Sequence, residues 1–474
     1  MKKTFKVLLI ALLVADIAYS FLQHYHMPFD GDMAELIVPE DGVKLILDNP
    51  LGIVAIKENI TYLSPNRFFS HWSFHKYFHH VPSFLQHFTN PVDSAYLACA
   101  LAKTAIQVAL TMLMAFFIAG GIYRPQFLLA ALIITPLFQT NGYRSHMGII
   151  DPATTYIFFY ALPALLLLIY FIPLYLKHMN GTELKYLKYG WIPLALVSSL
   201  SGPLNPGISL VVGLLICASY FHEKLKQPNG QAIFSKLISA IRQIPAEYYL
   251  YLLPLCVFSA YSLYLGTYNA MNDDSRMPLS ALYARLPQGL SKLLTTKLGF
   301  PVLLVTLGIN TWIIRYKLRS PEGEIILRLL KWIGLFALVY ILLLPLGGYR
   351  SYRPYVLRYD TILPVTLGLM FVFGKTSLFI LKNLPHRQQY WYVPLLMAVL
   401  FIFTNADRPG FDKNRCEREA ILQIASSPEK VVRLEDDCTV LSWDIVRQPQ
   451  ESVLKTRLLE IWGIMDEGKL FFQK

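Results

Sequence analysis

Apolar runs long enough to match the thickness of a bilayer recur along this chain, and polar residues collect in the segments between them. Eleven apolar runs, some of them short, are predicted as helices. They lie at about Val7–Phe21, Ala95–Gly120, Phe127–Phe138, Ala153–Leu176, Trp191–Leu200, Ile208–Phe221, Tyr248–Gly266, Phe300–Ile314, Trp332–Leu346, Thr361–Phe373 and Trp391–Phe403. The pattern predicts an all-α polytopic membrane protein, with residues 1–404 forming the transmembrane domain. Segment 405–474 is too polar to span a membrane. It alternates apolar positions through Lys430–Leu434 and carries an amphipathic pattern through Val453–Ile461.

Composition agrees with this pattern. The 474 residues are 54% hydrophobic and only 16% charged, with a mean hydropathy of +0.42. Lys2, Lys3 and Lys6 precede the first run, and no small-residue cleavage site follows it, so it reads as an uncleaved anchor. The net charge of +12 lies largely in short loops, where Lys and Arg set orientation, and does not call for nucleic acid as a partner. Applied loop by loop, this bias puts the N-terminus in the cytoplasm. It puts the first loop (about 23–94) and segment 405–474 outside. With Cys416 and Cys438 both in that segment, an outside location would allow them to pair as a disulfide. Cys99, Cys217 and Cys256 fall in apolar runs and read as structural thiols.

Candidate chemistry gathers in the outward loops. Ionisable groups are scarce within the runs, where each costs roughly 2.5–3.5 kcal/mol, and Lys103 is the main exception. Asp30-Gly31-Asp32, with Glu35 close behind, offers either a general base or oxygen ligands for a divalent cation such as Mg or Mn, or else a solvated Asp-Gly turn. His71, His75 and His79 repeat at i, i+4 and i+8. They suggest metal binding or, more commonly, an interfacial helix with Trp72, Phe74 and Phe78 at headgroup depth. Asp151-Pro152 follows the loop bearing Arg144, and either caps the next helix or supplies a second carboxylate. Arg276 and the cluster Arg350, Arg353 and Arg358, interleaved with tyrosines, run against the positive-inside bias and suit phosphate recognition.

These features resemble the polytopic glycosyltransferases of the GT-C fold, which use polyprenyl-phosphate-linked sugar donors. The resemblance is carried by Asp30-Gly31-Asp32-Met33-Ala34-Glu35 in the first outward loop, by Asp151 in the second, and by Arg358-Tyr359-Asp360-Thr361-Ile362-Leu363-Pro364 before a late helix. It implies a base or metal ligand at Asp30 or Asp32, an assisting carboxylate at Asp151, and phosphate contacts from Arg350, Arg353, Arg358 and Lys103. It further implies a membrane-lipid donor, a glycan, lipid or protein acceptor, and a bacterial inner-membrane location. A flippase of lipid-linked glycans is the alternative from another class, and a lipid-diphosphate-dependent polymerase or ligase is the alternative among enzymes.

Overall fold

The structure is a computed structural model that describes residues 3–138, 148–181, 190–225, 233–275, 277–347 and 355–474. It is mostly helical, and among the described residues eight helices are long and apolar enough to cross a membrane. They are Lys3–Tyr25, Pro91–Ala119, Thr154–Met179, Asn205–Glu223, Ala246–Gly266, Gly299–Tyr316, Pro321–Gly347 and Leu363–Asn383. The other three predicted runs form shorter helices. Phe127–Leu137 and Tyr390–Ala406 are apolar but brief. Trp191–Ser199, nine residues long, rises only about 14 Å against a hydrocarbon core of about 30 Å. The chain turns through Leu200–Leu204 before the next helix starts at Asn205.

The chain divides into two compact units. The first comprises Met1–Pro50, Phe69–Leu162 and Pro385–Lys474. Here Lys3–Tyr25 packs along Pro91–Ala119 and Phe127–Ile134. A polar thread ties the first pair, running from His24 Nε2 to Gln107 Oε1 at 3.0 Å and from Gln107 Nε2 to Ser20 Oγ at 3.1 Å. Such side chains find partners inside the protein because lipid offers none.

The first loop and the C-terminal segment fold around one shared core that also takes in Tyr96, Cys99 and Phe158 of two spans. Phe29, Met33, Ile37, Phe74 and Phe78 from the loop pack with Ile421, Leu434, Leu458 and Trp462 from the C-terminal segment. The alternating stretch forms strand Val431–Leu434, paired in parallel with Leu470–Gln473, and the amphipathic stretch forms helix Val453–Ile461. Trp462 is fully buried and donates its indole N–H to the Phe78 carbonyl at 3.0 Å. Cys416 and Cys438 form a disulfide.

That core corrects the reading of the histidine-rich stretch. Phe68–Leu85 is helical, and Trp72 is exposed, but Phe74 and Phe78 are 0% exposed and are covered by the protein core, against Phe158, instead of by lipid. His71 is buried edge-on against Phe159, and His75 stacks on His79. Among the described residues no group of three His, Cys, Asp or Glu side chains is placed to hold a metal ion.

The second unit comprises Leu51–Phe68 and Pro163–Leu384. Part of the first loop therefore belongs to it. The Tyr62 amide donates to the Tyr268 carbonyl at 3.2 Å, the Ala270 amide donates to the Tyr62 carbonyl at 3.1 Å, and Asn66 Nδ2 donates to the Ser262 carbonyl at 3.0 Å. Among its spans, Asn310 Nδ2 joins Thr376 Oγ1 at 2.9 Å and Ser377 Oγ at 3.1 Å.

Candidate active site in the first unit

The acidic corner follows directly from the end of helix Lys3–Tyr25. Its Asp-Gly step lies in a turn, but Gly31 is not there for a left-handed backbone. A Cβ on Gly31 would stand 2.4 Å from the Trp443 amide nitrogen and 2.5 Å from its indole ring. Glycine is required because the C-terminal segment passes against the loop at this point.

The two aspartates flanking Gly31 have different environments. Asp30 is buried, and Thr155 grips it with its hydroxyl at 2.6 Å to Oδ1 and its amide at 3.0 Å to Oδ2. Burial pushes the Asp30 carboxyl up to about 6, against the opposing pull of both Thr155 hydrogen bonds and of Lys103, while Asp32 adds to the rise. Asp32 is half-exposed and accepts the indole N–H of Trp443 at 2.7 Å. Trp443 is itself exposed, with its ring 6.2 Å from that of Tyr156. A half-exposed carboxylate thus meets the indole N–H of Trp443, whose ring neighbours that of Tyr156. Glu35 is exposed, with Glu40 and Lys455 as charged neighbours.

Asp151 and Lys103 belong to the same unit. Asp151 is buried and accepts the Ala153 amide at 2.8 Å. The helix begins at Thr154 with Ala153 in the capping position, so Asp151 braces the preceding turn, and Pro152 is not the first helical residue. Lys103, buried in Pro91–Ala119, donates to the Pro152 carbonyl. Its charge is therefore applied at the turn that leads from Asp151 to Thr155, and on to Asp30. The arrangement brings together three of the sequence candidates through a residue, Thr155, that the motifs did not single out.

A third buried acid supports the corner. Glu417 Oε2 accepts the Phe29 amide and the Tyr96 hydroxyl, each at 2.8 Å, and Oε1 accepts the Leu441 amide at 2.9 Å. It thereby ties the residue before Asp30 to a membrane span and to the C-terminal segment. Burial pushes its carboxyl up to about 7, against the pull of the two backbone amides and Tyr96. Beside it Arg418 lies over the rings of Tyr96 at 3.9 Å and Tyr25 at 4.8 Å, and pairs with Asp93. The signal for Glu417 was present in the sequence, since it occupies the buried register of helix Arg415–Ser426 with Ala420, Ile421 and Ile424.

The basic candidates are distributed otherwise. Arg144, Arg276, Arg350 and Arg353 lie outside the described residues. Arg358 is described and belongs to the second unit, where its Nε and Nη2 meet Asp360 Oδ1 at 2.9 Å and Oδ2 at 2.8 Å. Part of the anion that the arginine cluster called for is thus supplied by the chain itself. No family model matches this chain, and no match is found among curated proteins or solved structures.

Proposed function

We propose that this chain is a GT-C-like membrane glycosyltransferase that moves a sugar from a polyprenyl-phosphate-linked donor to a glycan, lipid or protein acceptor at the extracytoplasmic face of a bacterial inner membrane. The observation that carries the reading is the paired environment of Asp30 and Asp32. One carboxylate is buried and fixed by Thr155, and the other is reachable and oriented by Trp443. In this reading Asp32 takes the proton of the acceptor hydroxyl as its oxygen attacks the anomeric carbon. The bond from that carbon to the lipid phosphate breaks with inversion, and the polyprenyl phosphate leaves as its anion. Asp30 positions the turn that presents Asp32. The exposed Trp443 ring and the half-buried Tyr156 ring suit the apolar face of a sugar ring, and the Cys416–Cys438 disulfide supports an oxidising compartment for the C-terminal segment.

The test is transfer of a radiolabelled sugar from polyprenyl phosphate by purified protein in lipid. Asp32→Asn keeps an oxygen for the Trp443 N–H and removes the base, so transfer falls by roughly 10²- to 10⁴-fold. Undiminished transfer would remove Asp32 from the chemistry. Labelled lipid that crosses proteoliposomes without any transfer would select a flippase instead.

A further inference from the structure

Helix Ile233–Gln243 of the second unit connects two membrane spans and has no role in the site above. Its sequence divides cleanly around the axis. Phe234, Leu237, Ile238 and Ile241 fall within an arc of about 100°. Ser235, Lys236, Ser239, Arg242 and Gln243 lie on the other side. Among the described residues the side facing the protein holds Ala240 and the following Ile244, both buried, with Lys236 and Ser239 half-buried beside them, and the helix packs on Asn205–Leu225.

The apolar arc is bare. Phe234 is 72% exposed, Ile241 45%, and Leu237 and Ile238 39% each. Four large apolar side chains in one continuous face require a cover, and the connections on either side identify it. Only Ile244 and Pro245 separate this helix from span Ala246–Gly266, and seven residues separate it from Leu225. Seven residues reach at most about 24 Å, so the helix stays at the level where those spans leave the bilayer. The corner is fixed at its C-terminal end, where the Tyr249 hydroxyl donates to the Ile241 carbonyl. Beyond it, Leu250, Leu253 and Val257 continue an exposed apolar surface along the span. Residues 224–242 contain Lys224, Lys226, Lys236 and Arg242 and no acidic residue, which complements an anionic lipid surface.

We infer that Ile233–Gln243 is an in-plane amphipathic helix that docks on anionic phospholipid, with Phe234, Leu237, Ile238 and Ile241 seated below the headgroups and the basic residues among them. This surface is independent of the transferase reading and of any substrate.

The experiment uses full-length protein in vesicles of phosphatidylcholine and phosphatidylglycerol, with Cys99, Cys217 and Cys256 replaced by Ala and the disulfide retained. Single cysteines at Phe234, Leu237 and Ile241, and for comparison at Ser235 and Ser239, carry a nitroxide label. Collisions with oxygen, which concentrates in the bilayer, are compared with those of a water-soluble nickel chelate. The docked helix gives a severalfold higher oxygen-to-nickel ratio at the three apolar positions than at the two serines. Equal nickel access at all five positions overturns the proposal, as does an apolar face closed to both reagents, which would mean a protein cover. In the same vesicles, Lys236→Gln and Arg242→Gln each lower phosphatidylglycerol enrichment around the protein by about fivefold. Unchanged enrichment in the double variant overturns the anionic part of the assignment.

Discussion

Replacing Glu417 by Gln tests whether the acidic corner is held from behind. All three groups that meet this carboxylate are donors. They are the Phe29 and Leu441 amides and the Tyr96 hydroxyl, and they occupy both carboxylate oxygens. A glutamine has the same shape but only one accepting oxygen. Placing that oxygen at the Phe29–Tyr96 position turns the amide NH2 toward the Leu441 N–H, and the opposite placement sets it against two donors. The better orientation loses one buried hydrogen bond, at a cost of about 1–3 kcal/mol. Since 1.4 kcal/mol is a factor of ten, amide exchange through local opening should speed up by roughly 5- to 150-fold. Hydrogen–deuterium exchange with mass spectrometry reads this directly in peptides covering Phe29 and Leu441. Helix Leu363–Asn383 of the second unit serves as the reference. Unchanged exchange at Phe29 would refute the view that Glu417 fixes the residue leading into Asp30, and equal acceleration in the reference helix would mean a general loss of stability.

Three further outcomes follow from the same geometry. Because burial raises Glu417 from 4.5 to about 7, its protonated form is favoured in the fold. The stability it contributes is present below about pH 4.5 and is lost as pH rises through about 7, which amounts to on the order of 3 kcal/mol. Asp30 shifts in the same direction, from 3.8 to about 6, so opening of the shared core, corrected for intrinsic exchange rates, becomes easier as pH rises from about 4 to about 7, and a flat profile would contradict the burial. Replacing both Cys416 and Cys438, 22 residues apart, by Ala should cost about 3 kcal/mol through the unfolded chain, seen as a lower thermal midpoint of the C-terminal segment. Gly31→Ala puts a Cβ against the Trp443 backbone and should cost about 1–3 kcal/mol by overpacking. It should also separate Trp443 from Asp32, so transfer falls with it, whereas full activity would mean the loop and the C-terminal segment can move apart freely.

The membrane class was legible because it depends on local hydropathy and nothing else. Long runs such as Pro91–Ala119 and Leu363–Asn383 announce themselves residue by residue, and eight of the eleven predicted runs form long apolar helices among the described residues, the other three forming shorter ones. The acidic corner was legible as a cluster but not as a site. Spacing marked Asp30 and Asp32 together, yet their division into a buried and a reachable carboxylate comes from Thr155 and Trp443, which are 125 and 411 residues away from their partners. Phe74 and Phe78 were misplaced for the same reason. An amphipathic aromatic helix looks alike whether a lipid surface or a protein core covers it, and here the cover is Trp462 and the strands of a segment nearly four hundred residues later. By that logic Ile233–Gln243 is the informative contrast. It has the same kind of amphipathic sequence, but its apolar arc remains exposed after the whole chain has folded, and it lies within two residues of a span. The pattern alone could not separate the two helices. Burial does, and it assigns one to the core that supports the acidic corner and leaves the other for the bilayer.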